Sequence, residues 1–206
     1  GELLSTPLRG AHNASNVLAA ATLANELKIP PVIIQKAIHS FKGIPNRLEL
    51  IAAYSVNRGP RPRSGDVAIP SLSKKPRDRH APAKAGARDD TFRVAFYNDT
   101  AATTPDACLA ALNSFQEPLV LIAGGQDKKL NYTKLGQAIA SMEHVKQIVL
   151  LSHPAYDASR KILKAVKKYG GAKKVTLALS MEEAVEQSYE LAKTLPPKPY
   201  PLNPII

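Results

Sequence analysis

The sequence predicts an α/β fold: a Rossmann-like, mostly parallel sheet with helices on both faces, preceded by a short helical segment. Three observations carry this expectation. Beyond residue 93, short β-prone runs alternate with stretches in helical rhythm, the order that builds a parallel sheet through crossover helices. One run, Leu119-Val-Leu-Ile-Ala123, is apolar without interruption, as a strand covered on both faces must be. The runs ending near Tyr97 and Ala123 both open into polar or glycine-rich loops, and in open α/β sheets ligands bind at that carboxyl end of the strands.

In chain order, helical patterns at 13–27 and 31–41 are split by Ile29-Pro30-Pro31, where proline removes a donor and opens the second helix. Strands at 48–54 and 92–97 flank an insertion and form a hairpin around it. Pro105 sits at the first turn of a helix at 105–115. The strand at 119–123 leads to a helix at about 132–142, a strand at 147–151 and a helix at 156–169. A strand at 174–177 and a helix at 181–195 follow, the latter opened by a capping box of Ser180 and Glu183. Residues 196–206 carry five prolines' worth of breaks around Tyr200 and form a proline-rich tail.

The 206 residues carry a formal net charge of +11, which raises the question of a nucleic-acid partner. Between 55 and 93 stand ten Lys/Arg against four Asp, with five prolines and Phe92 as the sole aromatic, so more than half of the excess is local. Such a composition buries too little surface to fold, and the segment at 55–92 reads as a disordered basic insertion. It has no interleaved aromatics and no groove-reading motif, which argues against a specific nucleic-acid function. The single cysteine, Cys108, has no internal disulfide partner and falls on the apolar face of its helix, a core position in a reducing, cytoplasmic setting. No apolar run approaches 18 residues, so no membrane partner is expected. The five histidines lack metal-ligand spacing, and no metal is expected on this chain's own residues. Ser152-His153 follows a strand without a Gly-x-Ser-x-Gly elbow and reads as loop surface.

Candidate site residues lie in the two loops. In Tyr97-Asn-Asp-Thr-Ala-Ala-Thr-Thr-Pro105, Asp99, Thr100, Thr103 and Thr104 are placed to meet a polar ligand at a helix amino terminus; the alternative is an ordinary helix cap. In Gly124-Gly-Gln-Asp-Lys-Lys129, glycines permit close backbone approach, and Lys128 and Lys129 offer positive charge to a carboxylate or phosphate. As loops after consecutive strands of one parallel sheet, the two are expected to lie side by side and share a site.

These loops, with Gly10-Ala-His-Asn-Ala-Ser-Asn16 and Phe41-Lys-Gly-Ile-Pro-Asn-Arg-Leu-Glu49, resemble in order the carboxyl-terminal part of the Mur ligases, most closely the D-glutamate-adding branch. The resemblance implies that 1–43 is the helical end of a central ATP-binding domain, 44–47 the interdomain hinge and 48–195 the carboxyl-terminal domain. It implies ATP as cofactor, with Asn13 and Asn16 facing the adenine, Arg47 reaching ribose and phosphates, and Asp99 accepting from the ribose hydroxyls. Thr100, Thr103 and Lys128 would contact the amino-acid substrate, Thr103 and Lys128 through the carboxylates of D-glutamate. The further implied partners are UDP-N-acetylmuramoyl-L-alanine, Mg2+ held by ligands outside this chain, and the remaining ligase domains. In this family ATP phosphorylates the nucleotide-sugar peptide's carboxylate, and the amine displaces phosphate to form an amide of peptidoglycan.

The chain departs from the family pattern in places. Ala101 stands at a usual lysine and Asn46 at a usual histidine, and no Gly-x-x-x-x-Gly-Lys-Ser/Thr phosphate loop occurs. This chain alone is therefore expected to be inactive, and the last strand of the family, with its Ser-Pro motif, is expected to be missing. Two alternatives stand beside the D-glutamate enzyme: a non-catalytic nucleotide-binding or interaction module derived from a Mur ligase, and a Mur ligase of other amino-acid specificity.

Overall fold

The computed structural model describes residues 6–57, 91–152, 157–169, 173–195 and 202–206. Most of the basic insertion, 58–90, lies outside the described residues. Helix α1 (Ala11–Glu26) is alanine-rich and closes at Lys28, which takes φ 61°, a left-handed position more often held by glycine. There the amides of Lys28 and Ile29 donate to Asn25 and Ala24, 2.9 and 3.0 Å away, so the last carbonyls are satisfied. Helix α2 (Pro31–Ser40) starts on a proline at its first position, as expected.

The sheet follows: β1 (Glu49–Asn57), β2 (Thr91–Asn98), α3 (Pro105–Leu112), β3 (Leu119–Ala123), α4 (Thr133–Ser141), β4 (Val145–Leu151), α5 (Asp157–Lys168), β5 (Lys174–Ala178), α6 (Met181–Thr194) and β6 (Leu202–Ile205). The hairpin pairing of β1 with β2 is antiparallel and runs from Glu49 opposite Asn98 to Asn57 opposite Thr91. Every other pairing is parallel, and the strands lie in the order β1-β2-β6-β3-β4-β5.

Helices cover both faces. On one, α3, α4 and α5 bury Leu112, Phe115, Leu135, Ile139, Ile162 and Val166 against Leu119, Leu121, Ile148 and Leu150. On the other, Ala184, Ala192 and Leu195 of the α6 region meet Val94, Phe96, Val120 and Val149. Alternate residues of β3 and β4 thus enter opposite cores, the pattern that made β3 read as uniformly apolar. The core is aliphatic apart from Phe115 and the Tyr54, Phe96 and Tyr189 ring cluster, with centroids 5.9 to 6.4 Å apart.

Two expectations are corrected. The proline-rich end does not lie wholly beyond the fold as a tail: residues 202–205 form β6 in the middle of the sheet, paired with Arg93–Phe96 on one side and with Val120 on the other. Ile206 completes the join, donating to the Val120 carbonyl at 3.1 Å and accepting from the Ile122 amide at 2.6 Å. Consequently β2 and β3, consecutive in the chain, are not neighbours. Their loops flank β6 instead of touching side by side, roughly 10 Å apart at a strand spacing near 4.8 Å.

Candidate functional site

The site is built around the end of β2. Asp99 follows the last β2 residue and is half-buried, with the Leu48 amide donating to its Oδ1 at 3.0 Å. Burial raises the Asp99 pKa above the ordinary carboxylate value; the Leu48 hydrogen bond and the charges of Arg47 and His12 act against this rise without cancelling it. The influences on this carboxylate thus come from two separate segments, residues 47–48 and the first turn of α1. Oδ1 is anchored by the backbone, and an ionised carboxylate has acceptor capacity beyond that one bond.

Residues 46–48 are held by the β2 loop. Asn46 and Leu48 take φ of 63° and 46°, so the backbone is left-handed on both sides of Arg47. Leu48 gains nothing from that region by itself, and the conformation persists because the surroundings hold it. The Asn46 amide donates to Glu49 Oε2 at 2.8 Å, its carbonyl accepts from the Ala101 amide at 2.9 Å, and its Oδ1 accepts from Asn98 Nδ2 at 2.8 Å. Asn46 thus ties its own segment to the loop after β2. Arg47 is exposed beside it.

Within the loop the threonines divide their work. Thr104 caps α3, its Oγ1 accepting from the Ala107 amide at 3.2 Å. Thr100 is placed by its amide, which donates to Asn98 Oδ1 at 3.1 Å, and Thr103 by its amide, which donates to the Ala101 carbonyl at 2.9 Å. The side chains of Thr100 and Thr103 are exposed. The cap reading thus holds for Thr104, while its neighbours keep their hydroxyls outward.

The β3–α4 loop is shaped by Gly124 and Gly125, at φ 153° and 116°. A Cβ on Gly124 would stand 2.8 Å from Leu151 Cβ and Ser159 Oγ, so only glycine lets β3 leave the sheet there. Asp127 pins the loop by accepting from the Lys129 amide at 3.0 Å and pairing with Lys161 of α5. Lys128, between these anchors, is exposed. In α1, the Asn13 Nδ2 donates to the Arg9 carbonyl at 2.7 Å, and Asn16 lies exposed one turn further along the same face.

Asp99 is thus under the influence of Arg47 and His12, with Thr100 and Thr103 on its own loop, while Lys128 lies across β6. The sequence reading missed the Asn46–Asn98 hydrogen bond and Asp127 as a loop anchor; the Asx-rich loop composition was the available signal. It also missed Arg9 and Glu117, which make a bidentate ion pair across 108 residues and have no local signature. Cys108 is a packed thiol, pushed up to about 12 mainly by burial, and is no nucleophile. Among the described residues, no group of three or more His, Cys, Asp or Glu is arranged to hold a metal ion, and no helix is long and apolar enough to cross a membrane.

Residues 88–194 match the family described as "Mur ligase, glutamate ligase domain". The chain is similar to UDP-N-acetylmuramoylalanine--D-glutamate ligase of Roseiflexus sp. (strain RS-1), 33% identical over 77% of this chain and 26% of that protein. The same-named ligase of Nitrosospira multiformis is 30% identical over 90% of this chain and 30% of its own length. The chain therefore spans about a third or less of these relatives. In fold it resembles the Mycobacterium tuberculosis folylpolyglutamate synthase complexed with ADP, with a TM-score of 0.59 and 16% identity over 98% of this chain and 38% of that one. MurF from Acinetobacter baumannii superposes with a TM-score of 0.53 at 18% identity, covering 97% of this chain and 35% of its own. A family match over more than half of the chain, covering both the loop that carries Asp99 and the loop that carries Lys128, places the protein in the Mur ligase family through its glutamate ligase domain.

Proposed function

We propose that this chain is the carboxyl-terminal, amino-acid-binding part of an ATP-dependent ligase that adds D-glutamate to UDP-N-acetylmuramoyl-L-alanine in the cytoplasm. The observation that carries the reading is the half-buried Asp99 carboxylate, anchored by the Leu48 amide and under the influence of Arg47 and of His12 in the first turn of α1. A carboxylate so placed suits ribose hydroxyls, and the Arg47 fork suits phosphate. Asn13 and Asn16, on the adjoining helix, offer amides that can both donate to and accept from a base edge. Thr100 and Thr103 on the β2 loop and Lys128 on the β3–α4 loop stand on the two sides of β6, and are assigned to the amino acid and its carboxylates.

In this reading the chain positions groups and leaves phosphoryl activation to the rest of the ligase. The described residues do not make a magnesium site, and the metal is assigned to ligands elsewhere in the enzyme. The division into a central-domain remnant at 1–43, a hinge at 44–47 and a carboxyl-terminal domain from 48 is supported by the outward faces of the first two helices. Leu18, Leu23, Leu27, Val32 and Ile33 are more than half exposed there, and an open groove of about 440 Å³ lies between α1 and α2. Such a surface suits burial against the remaining central domain.

Calorimetric titration of the chain with ATP and then D-glutamate tests the proposal. Asp99→Ala is expected to abolish the ATP heat and Lys128→Ala the D-glutamate heat. ATP binding that survives Asp99→Ala sinks the nucleotide assignment, and binding of another amino acid in place of D-glutamate moves the specificity within the family.

A further inference from the structure

We propose that Arg9 and Glu117 are positioning residues, a clamp that holds the amide-bearing first turn of α1 against the Asp99 loop so that both halves of the nucleotide site form one surface. The inference rests on the nucleotide reading above. Exposed ion pairs contribute little, since solvent screens them and two long side chains must be ordered. This pair is of another kind. Arg9 Nη1 and Nη2 both donate to Glu117 Oε1, at 3.0 and 3.1 Å, and Nη1 also lies 3.3 Å from Oε2. The side chains are only 33% and 15% exposed. The guanidinium plane lies over Phe115 at 4.9 Å and Tyr97 at 5.6 Å, so the cation is caged by two aromatic faces as well as paired.

The acid is prepared for its partner. Burial works against the Glu117 charge, but hydrogen bonds from its own backbone and from the Gln116 amide, with Arg9 beside it, outweigh burial and hold the carboxyl below its usual range.

Each end of the clamp reaches a site residue. The Arg9 carbonyl accepts from Asn13 Nδ2 at 2.7 Å, so the residue gripped through its side chain orients the Asn13 amide through its backbone. Tyr97, beneath the guanidinium, precedes Asp99 by two residues. Phe115 and Glu117 lie on the α3–β3 connection of the same β-α-β unit. Between them the chains touch closely: a Cβ on Gly10 would fall 2.2 Å from Ser114 Oγ. The clamp therefore joins the α1 segment to the sheet domain through Tyr97, Phe115 and Glu117, next along β2 from the contact of Asn98 with Asn46, and the two contacts together restrict rotation about residues 44–47.

The test uses the full chain with spin labels on Ala20→Cys of α1 and Ser141→Cys of α4, both exposed positions; Cys108, packed against the core, stays unlabelled. Distance distributions are read without ligand, and ATP affinity is then titrated. Glu117→Gln keeps the shape and removes the charge; Arg9→Lys keeps the charge and removes the planar fork. Both are expected to broaden the distance distribution and weaken ATP binding by roughly fivefold or more, a typical coupling between linked sites. In an Asn13→Ala background the Glu117→Gln effect on ATP is expected to shrink, which a merely structural ion pair would not produce. An unbroadened distribution overturns the clamp, and broadening with unchanged ATP affinity overturns its positioning role. An unmutated chain that binds no ATP removes the nucleotide reading and the positioning role with it, a result distinguished from clamp failure because broadening is measured before ligand is added.

Discussion

At the scale of single residues, the site is a compromise between stability and readiness to bind. Asp99 has its pKa raised by burial, so its charged form is less comfortable in the fold than in the unfolded chain. The sign follows from linkage: a raised folded pKa favours the fold below the unfolded value, and that contribution is lost as pH rises through the folded one. Asp99→Asn keeps an acceptor for the Leu48 amide and removes the charge. We expect its melting temperature at pH 7 to equal or exceed that of the unmutated chain, measured by circular dichroism. ATP affinity is expected to fall about tenfold, the loss of one charge-assisted hydrogen bond. A large drop in melting temperature would show that the carboxylate stabilises the fold and would refute the trade-off. The Asn46 and Leu48 backbones make the same point: left-handed residues flank Arg47 because the loop of β2 holds them there.

At the scale of elements, the sequence signals and the final structure agree where the signal is local. Thr104 and Ser180 cap α3 and α6 as their positions imply, though Glu183 reaches past the cap to the Leu179 amide at 2.7 Å. The lengths of α4 and α5 were legible from their periodicity, but their closeness was not. Gly136, in mid-helix, carries no turn or cap function; a Cβ there would meet Ala165 Cβ at 2.4 Å and the Ala165 carbonyl carbon at 2.6 Å. The glycine lets two helices approach, and its helix-propensity cost of about 1 kcal/mol is tolerated for that contact. Gly136→Ala is accordingly expected to destabilise by roughly 1–3 kcal/mol in urea unfolding, the range for overpacking, although alanine is the better helix former. A stabilised variant would mean the helices can part at no cost.

At the scale of the whole molecule, β6 decides the topology. Its four residues fill the gap between β2 and β3, so removing 202–206 leaves two facing strand edges unpaired in the middle of the sheet. The truncated chain is expected to lose its cooperative melt and to exchange the amides of Ile122 and the β2 strand rapidly; a retained sharp transition would show that the flanking helices alone hold the sheet. What the sequence determined by itself was everything with a short-range cause: the α/β alternation, the β1–β2 hairpin, the caps, the buried character of β3 and the loops that carry Asp99 and Lys128. The proline-rich end hid its strand because Pro204 supplies no amide and four residues hold too little pattern to be recognised; pairing with two strand edges supplies the energy that local preference does not. Arg9 and Glu117, too, meet only because the sheet brings the α3–β3 connection beneath the start of α1, a cause that acts across 108 residues and leaves no trace in any one stretch of the chain.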